Sequence, residues 1–434
     1  MPTQLIPNTD VKYSLISFDK DSKERTDDPE AANGLFSNKI LAEAAANPPS
    51  HVFLFSHGWK GDMPSAIDQY NRWIQAMVKL EADKQQMGPA FRPLWIGLHW
   101  PSKPLGDESF GGGGDFDTVG MDLAAIKAEA IEQMGDTPEI RASLDVIFKE
   151  QEENAAALSM PAPVADAYKK LANAIGYKSE GEGAAGPPDA EGKPFDPEAT
   201  FEAAGDSDFS IGSFFGKLLS PLSQLSYWTM KYRGRSIGEG GMHNFVAALQ
   251  NLLPNAKFHV MGHSFGCIVV SSILGGPNGN TPLPRPVDSL LLAQGALSLW
   301  AYSNKVKDVG NPGYFNQAFL KPAVKGPIVV TRSKNDKAVG LAYKLATAVV
   351  PVNIDGSFDS ELTPTFLPLL GGIGTYGIRG LDSVVDLKMQ PATGTYVFTP
   401  GKIYNLMSDE FVPSHNGIDG PEVAHAAWQA AIQS

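Results

Sequence analysis

Residues 258–270 read Phe-His-Val-Met-Gly-His-Ser-Phe-Gly-Cys-Ile-Val-Val. Ser264 stands between Gly262 and Gly266, after a run with β character and before an apolar, helix-compatible run. A serine hydroxyl is a weak nucleophile at neutral pH. It attacks a carbonyl when a base takes its proton and donors hold the oxyanion that forms. A Gly-x-Ser-x-Gly turn supplies the geometric part of that need. It holds the serine in a sharp strand-to-helix bend with its oxygen at the C-terminal edge of a sheet, and the helix behind it aims its first amides at the reacting carbonyl. Small residues at 262 and 266 let neighbouring backbone pack against the bend. The chemistry open to Ser264 is acyl transfer; the plain alternative is a tight turn filled by a small polar residue.

Such a serine needs a sheet behind it. Short apolar runs bounded by turn signals predict buried strands at Lys12–Phe18, His51–Phe55, Leu94–His99, Phe258–Met261, Ser289–Ala293, Pro327–Thr331 and Lys402–Leu406. Runs apolar on both faces suit a mostly parallel sheet covered by helices on each side. Helical spacing recurs between them. Ser65–Lys84 places Ile67, Tyr70, Ile74, Met77 and Val78 on one face, and Gly241–Leu253 does so with Phe245, Leu249 and Leu252. Pro421–Ile432 opens with Pro-Glu, a helix-start signature. The alternation predicts an α/β fold.

Two stretches break the rhythm. Residues 101–235 are expected to be a large insertion on a core made of 1–100 and 236–434. The insertion opens with four glycines, 111–114, shows helical character over Met121–Leu158, and continues through a Gly/Pro/Glu-rich segment, Lys178–Pro197, expected to be mobile. It ends in the apolar cluster Phe214, Phe215, Leu218, Leu219, Leu222, Leu225, Tyr227 and Trp228. A second, smaller insertion is expected over 340–400, with Phe366–Leu370 and a glycine-rich turn at Gly371–Gly380.

The chain has 434 residues, 43% hydrophobic content and a net charge of −13, enough for a large core. Residues 101–235 hold 23 Asp and Glu against 12 Lys and Arg, so nearly all of the negative excess lies there. That balance gives no electrostatic reason to bind nucleic acid or an anionic membrane surface. A single cysteine, Cys267, excludes an internal disulfide and reads as a small buried side chain rather than a thiol nucleophile. No His-Glu-x-x-His pattern occurs, so neither a metal nor another cofactor is expected. No stretch is apolar enough for a membrane span, and no secretory signal is legible, so the expected location is cytoplasmic.

Taken with its strand and helix, the sequence Gly262-His263-Ser264-Phe265-Gly266 resembles the nucleophile elbow of the α/β-hydrolase superfamily, over about residues 50–100 and 236–434. The resemblance implies that fold, with 101–235 as an inserted cap. It also implies an oxyanion loop after an earlier strand, often marked His-Gly. Ser56-His57-Gly58-Trp59 fits, which makes the backbone amides of Trp59 and Phe265 the implied oxyanion donors. His57 itself is implied to serve loop packing. The acid follows a later strand in the family; Asp336, in Ser333-Lys334-Asn335-Asp336, is the implied candidate, ahead of Asp382 and Asp386. The base follows the last strand. His415, in the loop after Lys402–Leu406, is favoured over His425 inside the terminal helix. The chain order Ser264, Asp336, His415 matches the family, although the Asp-to-His interval is longer than is usual there.

The implied activity is hydrolysis of a carboxylic ester through an acyl-enzyme. The Phe214–Trp228 cluster suits a cap over an apolar acyl or alcohol group, and equally the insertion's own core. Amide, peptide or thioester cleavage on the same triad, a lipase with the insertion as lid, a non-catalytic binding member of the fold, and a scaffold with an acidic arm are the alternatives. The expected partner is a small-molecule ester; the sequence leaves the oligomeric state unknown.

Overall fold

The computed structural model describes residues 2–31, 34–58, 62–102, 123–154, 157–177, 195–205, 217–306, 310, 312–316, 323–336 and 371–434. These fall into two compact units. The first draws on residues within 1–103, 233–339 and 357–434, and the second on residues within 104–232.

The first unit is built on a nine-stranded, mostly parallel sheet. Its strands are β1 (Thr3–Leu5), β2 (Lys12–Ser17), β3 (His51–Ser56), β4 (Pro93–His99), β5 (Lys257–His263), β6 (Ser289–Ala293), β7 (Ile328–Arg332), β8 (Val384–Lys388) and β9 (Ile403–Met407). The spatial order is β1-β2-β4-β3-β5-β6-β7-β9-β8, and every neighbouring pair is parallel except β1 with β2. Each apolar run singled out in the sequence lies on one of these strands. Strands β1 and β8 are additional, and β8 lies within the stretch read as a second insertion. It pairs with β9 in register from Val384↔Ile403 to Lys388↔Met407. Residues 337–370, including Phe366–Leu370, lie outside the described residues.

The helices of this unit are α1 (Phe36–Ala46), α2 (Met63–Lys79) and α3 (Glu81–Gln86). The second unit contributes α4 (Leu123–Met134), α5 (Pro138–Asn154), α6 (Ala162–Ala174) and α7 (Pro197–Gly205). Then follow α8 (Ser220–Ile237), α9 (His243–Leu252), α10 (Gly266–Gly275), α11 (Ile373–Tyr376) and α12 (Pro421–Ile432). The single helix expected over Ser65–Lys84 is two, because Leu80 leaves helical geometry (φ −85°, ψ 71°) between α2 and α3. The start of α2 is fixed by Asp62, whose Oδ1 accepts the Ser65 amide at 2.8 Å, the standard satisfaction of an orphan helix-start donor. Its buried face is Ala66, Gln69, Tyr70, Trp73, Ile74 and Met77. One polar residue in that face, Gln69, belongs to the site described below.

Strand residues alternate between faces. Phe53 and Phe55 of β3, Trp95 of β4 and Met261 of β5 form one core with Tyr70 and Trp73 of α2 and Trp428 of α12. Phe53 stacks on Trp95 with ring centroids 4.6 Å apart, and Trp428 meets Phe53 edge-on at 5.4 Å. Trp428 also donates its indole N–H to Met77 O (2.9 Å), so α12 is locked to α2 by burial and a directed bond. Helix α3 is tied to α12 by Asp83, which accepts from His425 Nδ1 (2.7 Å) and Gln429 Nε2 (2.8 Å). Helix α10 packs on β5 and β3, and α1, α9 and α10 pack in sequence against one another.

The helical character read over Met121–Leu158 becomes α4 and α5, broken at Gly135, whose φ of +111° suits glycine. The second unit has its own core: Leu144 and Phe148 of α5 and Tyr168 and Leu171 of α6 pack with Leu218, Leu219, Leu222 and Leu225. The aliphatic part of the cluster read from the sequence is therefore buried within this unit. Phe214 and Phe215, the glycine run 111–114 and residues 178–194 lie outside the described residues. No described helix is long and apolar enough to cross a membrane.

Candidate active site

Strand β5 ends at His263 and α10 begins at Gly266, leaving two residues for the bend. Ser264 takes the strain: its φ is +55°, left-handed backbone that a side-chain-bearing residue rarely adopts. Three backbone hydrogen bonds hold it there. Its amide donates to Ala293 O, and its carbonyl accepts from Ala296 N and Cys267 N, each at 3.1 Å. The flanking glycines answer a different demand, because neither has a positive φ. A Cβ on Gly262 would sit 2.6 Å from Gly266 O, and one on Gly266 would sit 2.2 Å from Ser56 O. They are glycines because backbone passes through the space a side chain would fill.

The three separated residues converge at the C-terminal ends of parallel strands. His415, in the loop after β9, has Nε2 2.7 Å from Ser264 Oγ. Its Nδ1 lies 2.9 Å from Oδ2 of Asp336, in the turn after β7. With Nδ1 protonated and donating to the carboxylate, Nε2 is the acceptor for the serine proton. The Asp336 side chain is fully buried, while that of His415 keeps 15% of its surface exposed. The arrangement can deprotonate Ser264 and then hold the imidazolium against a buried carboxylate.

The loops carrying Asp336 and His415 are bonded to each other. Ser408 N donates to Arg332 O (2.8 Å), Lys334 N to Asp409 Oδ1 (2.9 Å), Asn335 Nδ2 to Asp409 O (2.8 Å), and Ser333 Oγ to Val412 O (3.0 Å). Asp409, absent from the sequence reading, is thus a clasp between the turn of Asp336 and the segment leading to His415.

His263 also has a definite job. Its Nε2 lies 2.9 Å from His415 O and its Nδ1 2.7 Å from Gln69 Nε2. A carbonyl only accepts and an amide nitrogen only donates, so His263 is neutral, with its proton on Nε2. The residue before the serine therefore grips the backbone of His415, and Gln69 braces it from α2. Arg72 on α2 pairs with Asp419 at the far end of the same loop.

The loop after β3 comes up against the serine from the other side. A Cβ on Gly58 would lie 2.4 Å from Ser264 Cβ. The Gly58 carbonyl accepts from Ser102 Oγ (2.9 Å) and from His57 Nδ1 (2.8 Å), and Trp100 N donates to His57 Nε2 at 3.3 Å. Tyr70 accepts the His57 amide at 2.7 Å. Burial pushes the His57 pKa down to about 3, so its imidazole is neutral and its role is to fasten this loop. Of the two expected oxyanion donors, Trp59 lies outside the described residues. Phe265 is buried at the N-terminal boundary of α10, where helix-start amides face outward from the hydrogen-bond ladder.

The competing residues are otherwise engaged. Asp386 is held by Arg379 through two bonds of 2.6 and 2.9 Å, and Asp382 is exposed. His425 is occupied by Asp83. Cys267 donates its thiol to Gly262 O (3.2 Å), and burial raises its pKa well above the usual thiol value, so it is no nucleophile at neutral pH. Among the described residues, no group of three or more His, Cys, Asp or Glu is arranged to hold a metal ion.

Compared with known protein families, curated proteins and solved structures, the chain matches none.

Proposed function

We propose that the protein is a serine hydrolase with an α/β-hydrolase core, which cleaves a carboxylic ester through an acyl-enzyme. The observation that carries this reading is the unbroken hydrogen-bonded line Ser264 Oγ–His415–Asp336, with the serine in a left-handed bend between a strand and a helix. Strained backbone of this kind persists where the surroundings enforce it, and it concentrates at functional sites. The strand ends that gather the residues, and the chain order serine, aspartate, histidine, are those a nucleophile elbow requires.

In the proposed reaction, His415 Nε2 takes the proton as Ser264 Oγ bonds to the ester carbonyl carbon. The carbonyl oxygen becomes an oxyanion beside the amide of Phe265, with the Trp59 amide the second donor that the family resemblance implies. Collapse of that intermediate breaks the bond to the alcohol, which leaves with the proton from His415. Water, deprotonated by the same imidazole, then releases the acid and restores Ser264. Asp336 stays ionised and fixes the tautomer throughout.

The direct test is hydrolysis of p-nitrophenyl esters whose acyl chains run from two to sixteen carbons, by wild type and Ser264→Ala. Turnover by wild type alone supports the ester reading. Preference for long chains at an interface would extend it to a lipase. Turnover of amides or thioesters but not esters would move the function to those bonds on the same residues. Equal turnover by both proteins would remove Ser264 from the mechanism.

A further inference from the structure

Ser264 has a twin. Five described non-glycine residues have positive φ: Asn8, Ser22, Ser264, Asn278 and Gln294. Only Ser264 and Gln294 directly follow central strands, β5 and β6, and those strands are neighbours with Gly262 opposite Leu292 and His263 opposite Ala293. Gln294 has φ +46° and no exposed surface. Glutamine lacks the short side chain with which asparagine or serine offsets this backbone by local hydrogen bonding. A buried, strained glutamine one strand from the nucleophile calls for a cause.

The cause lies at its amide. The side-chain amide is 2.9 Å from Asp336 Oδ2 and 2.8 Å from Gly374 O. Both are acceptors, so the nitrogen faces them and donates to each. The oxygen of Asp336 that Gln294 reaches is the one bonded to His415. The rest of the neighbourhood serves the same approach. Gln294 N donates to Thr331 Oγ1 (3.1 Å), which fixes the left-handed backbone. Gly374 has no room for a side chain, because a Cβ would lie 2.7 Å from Asp336 Oδ2 and 2.9 Å from the Gln294 carbonyl carbon. Its amide bonds Gly295 O (3.0 Å) and its carbonyl accepts Ser333 N (2.8 Å).

We propose that Gln294 is a positioning residue for the acid–base pair, holding Asp336 Oδ2 in line with His415. This deepens the reading of Ser264, His415 and Asp336 as a triad and rests on it. A buried carboxylate needs donors. Gln294 supplies one that carries no charge, so it stabilises the ionised acid without competing for its negative potential as a cation would. The carboxylate is then oriented, and its pull on the His415 proton is moderated. Among the described residues, titratable groups near this pair include His263, whose ring centroid is 5.0 Å from that of His415, and Asp409, which pairs with Lys334 in the clasp.

The test compares wild type, Gln294→Leu and Gln294→Glu on an ester that wild type turns over, with kcat, KM and the pH dependence of kcat/KM. Thermal melting and fluorophosphonate labelling of Ser264 are measured alongside. Gln294→Leu is expected to lower kcat by about tenfold or more with KM little changed. The acidic limb of its profile should move to higher pH, since a less stabilised carboxylate holds the His415 proton more tightly. Gln294→Glu donates when protonated and repels when ionised, so its activity relative to wild type should fall as pH rises. If Gln294→Leu does not fold, Gln294→Glu, close to isosteric, carries the test. Lower melting temperatures with unmoved limbs and unchanged relative activity would overturn the role of Gln294 alone. A wild type that neither labels at Ser264 nor turns over any ester would instead remove the triad, and this inference with it.

Discussion

His263 Nε2 donates to the main-chain oxygen of His415 across 2.9 Å, so the residue preceding the serine holds the residue proposed to activate it. Nucleophile and base are thereby registered through a backbone contact that bypasses their own side chains. Removing that donor should loosen the base without touching the reacting atoms. His263→Leu is expected to lower kcat about tenfold with a small change in KM. Gln69→Leu, one bond further out, should do less. Steady-state kinetics of the two variants check this; equal effects on kcat and KM would point to general damage.

The left-handed backbone at Ser264 makes a stability prediction that separates function from fold. Glycine adopts φ +55° without strain, and alanine does not. Ser264→Gly and Ser264→Ala should both lose turnover. Ser264→Gly should nevertheless be the more stable of the two, by about 1 kcal/mol. Urea unfolding of both variants decides it, and the reverse order would mean that the bend is not strained.

Gly58 is a glycine for want of space. A methyl group there would overlap Ser264 Cβ, at 2.4 Å, and either the serine or the loop after β3 must move. Gly58→Ala should lower kcat/KM by about 10²-fold or more, the loss that follows misplacement of a reacting group by an ångström. Fluorophosphonate labelling should slow in proportion.

Burial sets a pH limit on stability. His57 and His99 are pushed down to about 3 and about 4, and His259 lies well below the ordinary histidine value, in each case chiefly through burial. His51, half-buried and 2.9 Å from His259, falls to about 4, again mainly through burial. The unfolded chain binds these protons near pH 6.5, and the folded chain does not until each depressed value is reached. Their stabilisation is therefore complete above about pH 6.5 and is lost as pH falls from there towards 4. Each fully buried histidine contributes a slope of about 1.4 kcal/mol per pH unit in that window. Urea midpoints at pH 7, 6 and 5 should drop steadily, and a flat profile over that range would contradict the assignment.

Much of the scaffold was legible because buried parallel strands are short apolar runs, and β2 to β7 and β9 each announce themselves so. Strand β8 does not: Val384–Lys388 interleaves Asp386 and ends in lysine, and Asp386 is neutralised by Arg379 and Arg332, which the fold brings to it. Strand β1 has three residues and no pattern to read. In the site, Ser264 was legible because the elbow is local. His415 and Asp336 were legible through chain order. Gln294, Gln69, Asp409 and the task of His263 were not, because each depends on a contact across strands or loops. The nearest signal is Ala293-Gln294-Gly295, a polar residue and a glycine ending a buried strand as Ser264 and Gly266 follow another. The breaks at Leu80 and Gly135 were missed for a simpler reason: apolar spacing runs across both.

Labelling by a fluorophosphonate probe, read by intact mass and peptide mapping of wild type, Ser264→Ala and His415→Ala, tests the proposed triad most directly. The expected result is one adduct per chain on Ser264 in wild type, none in Ser264→Ala, and a labelling rate in His415→Ala lower by about 10³-fold or more. An unlabelled wild type, an adduct on another residue, or undiminished labelling without His415 would contradict it.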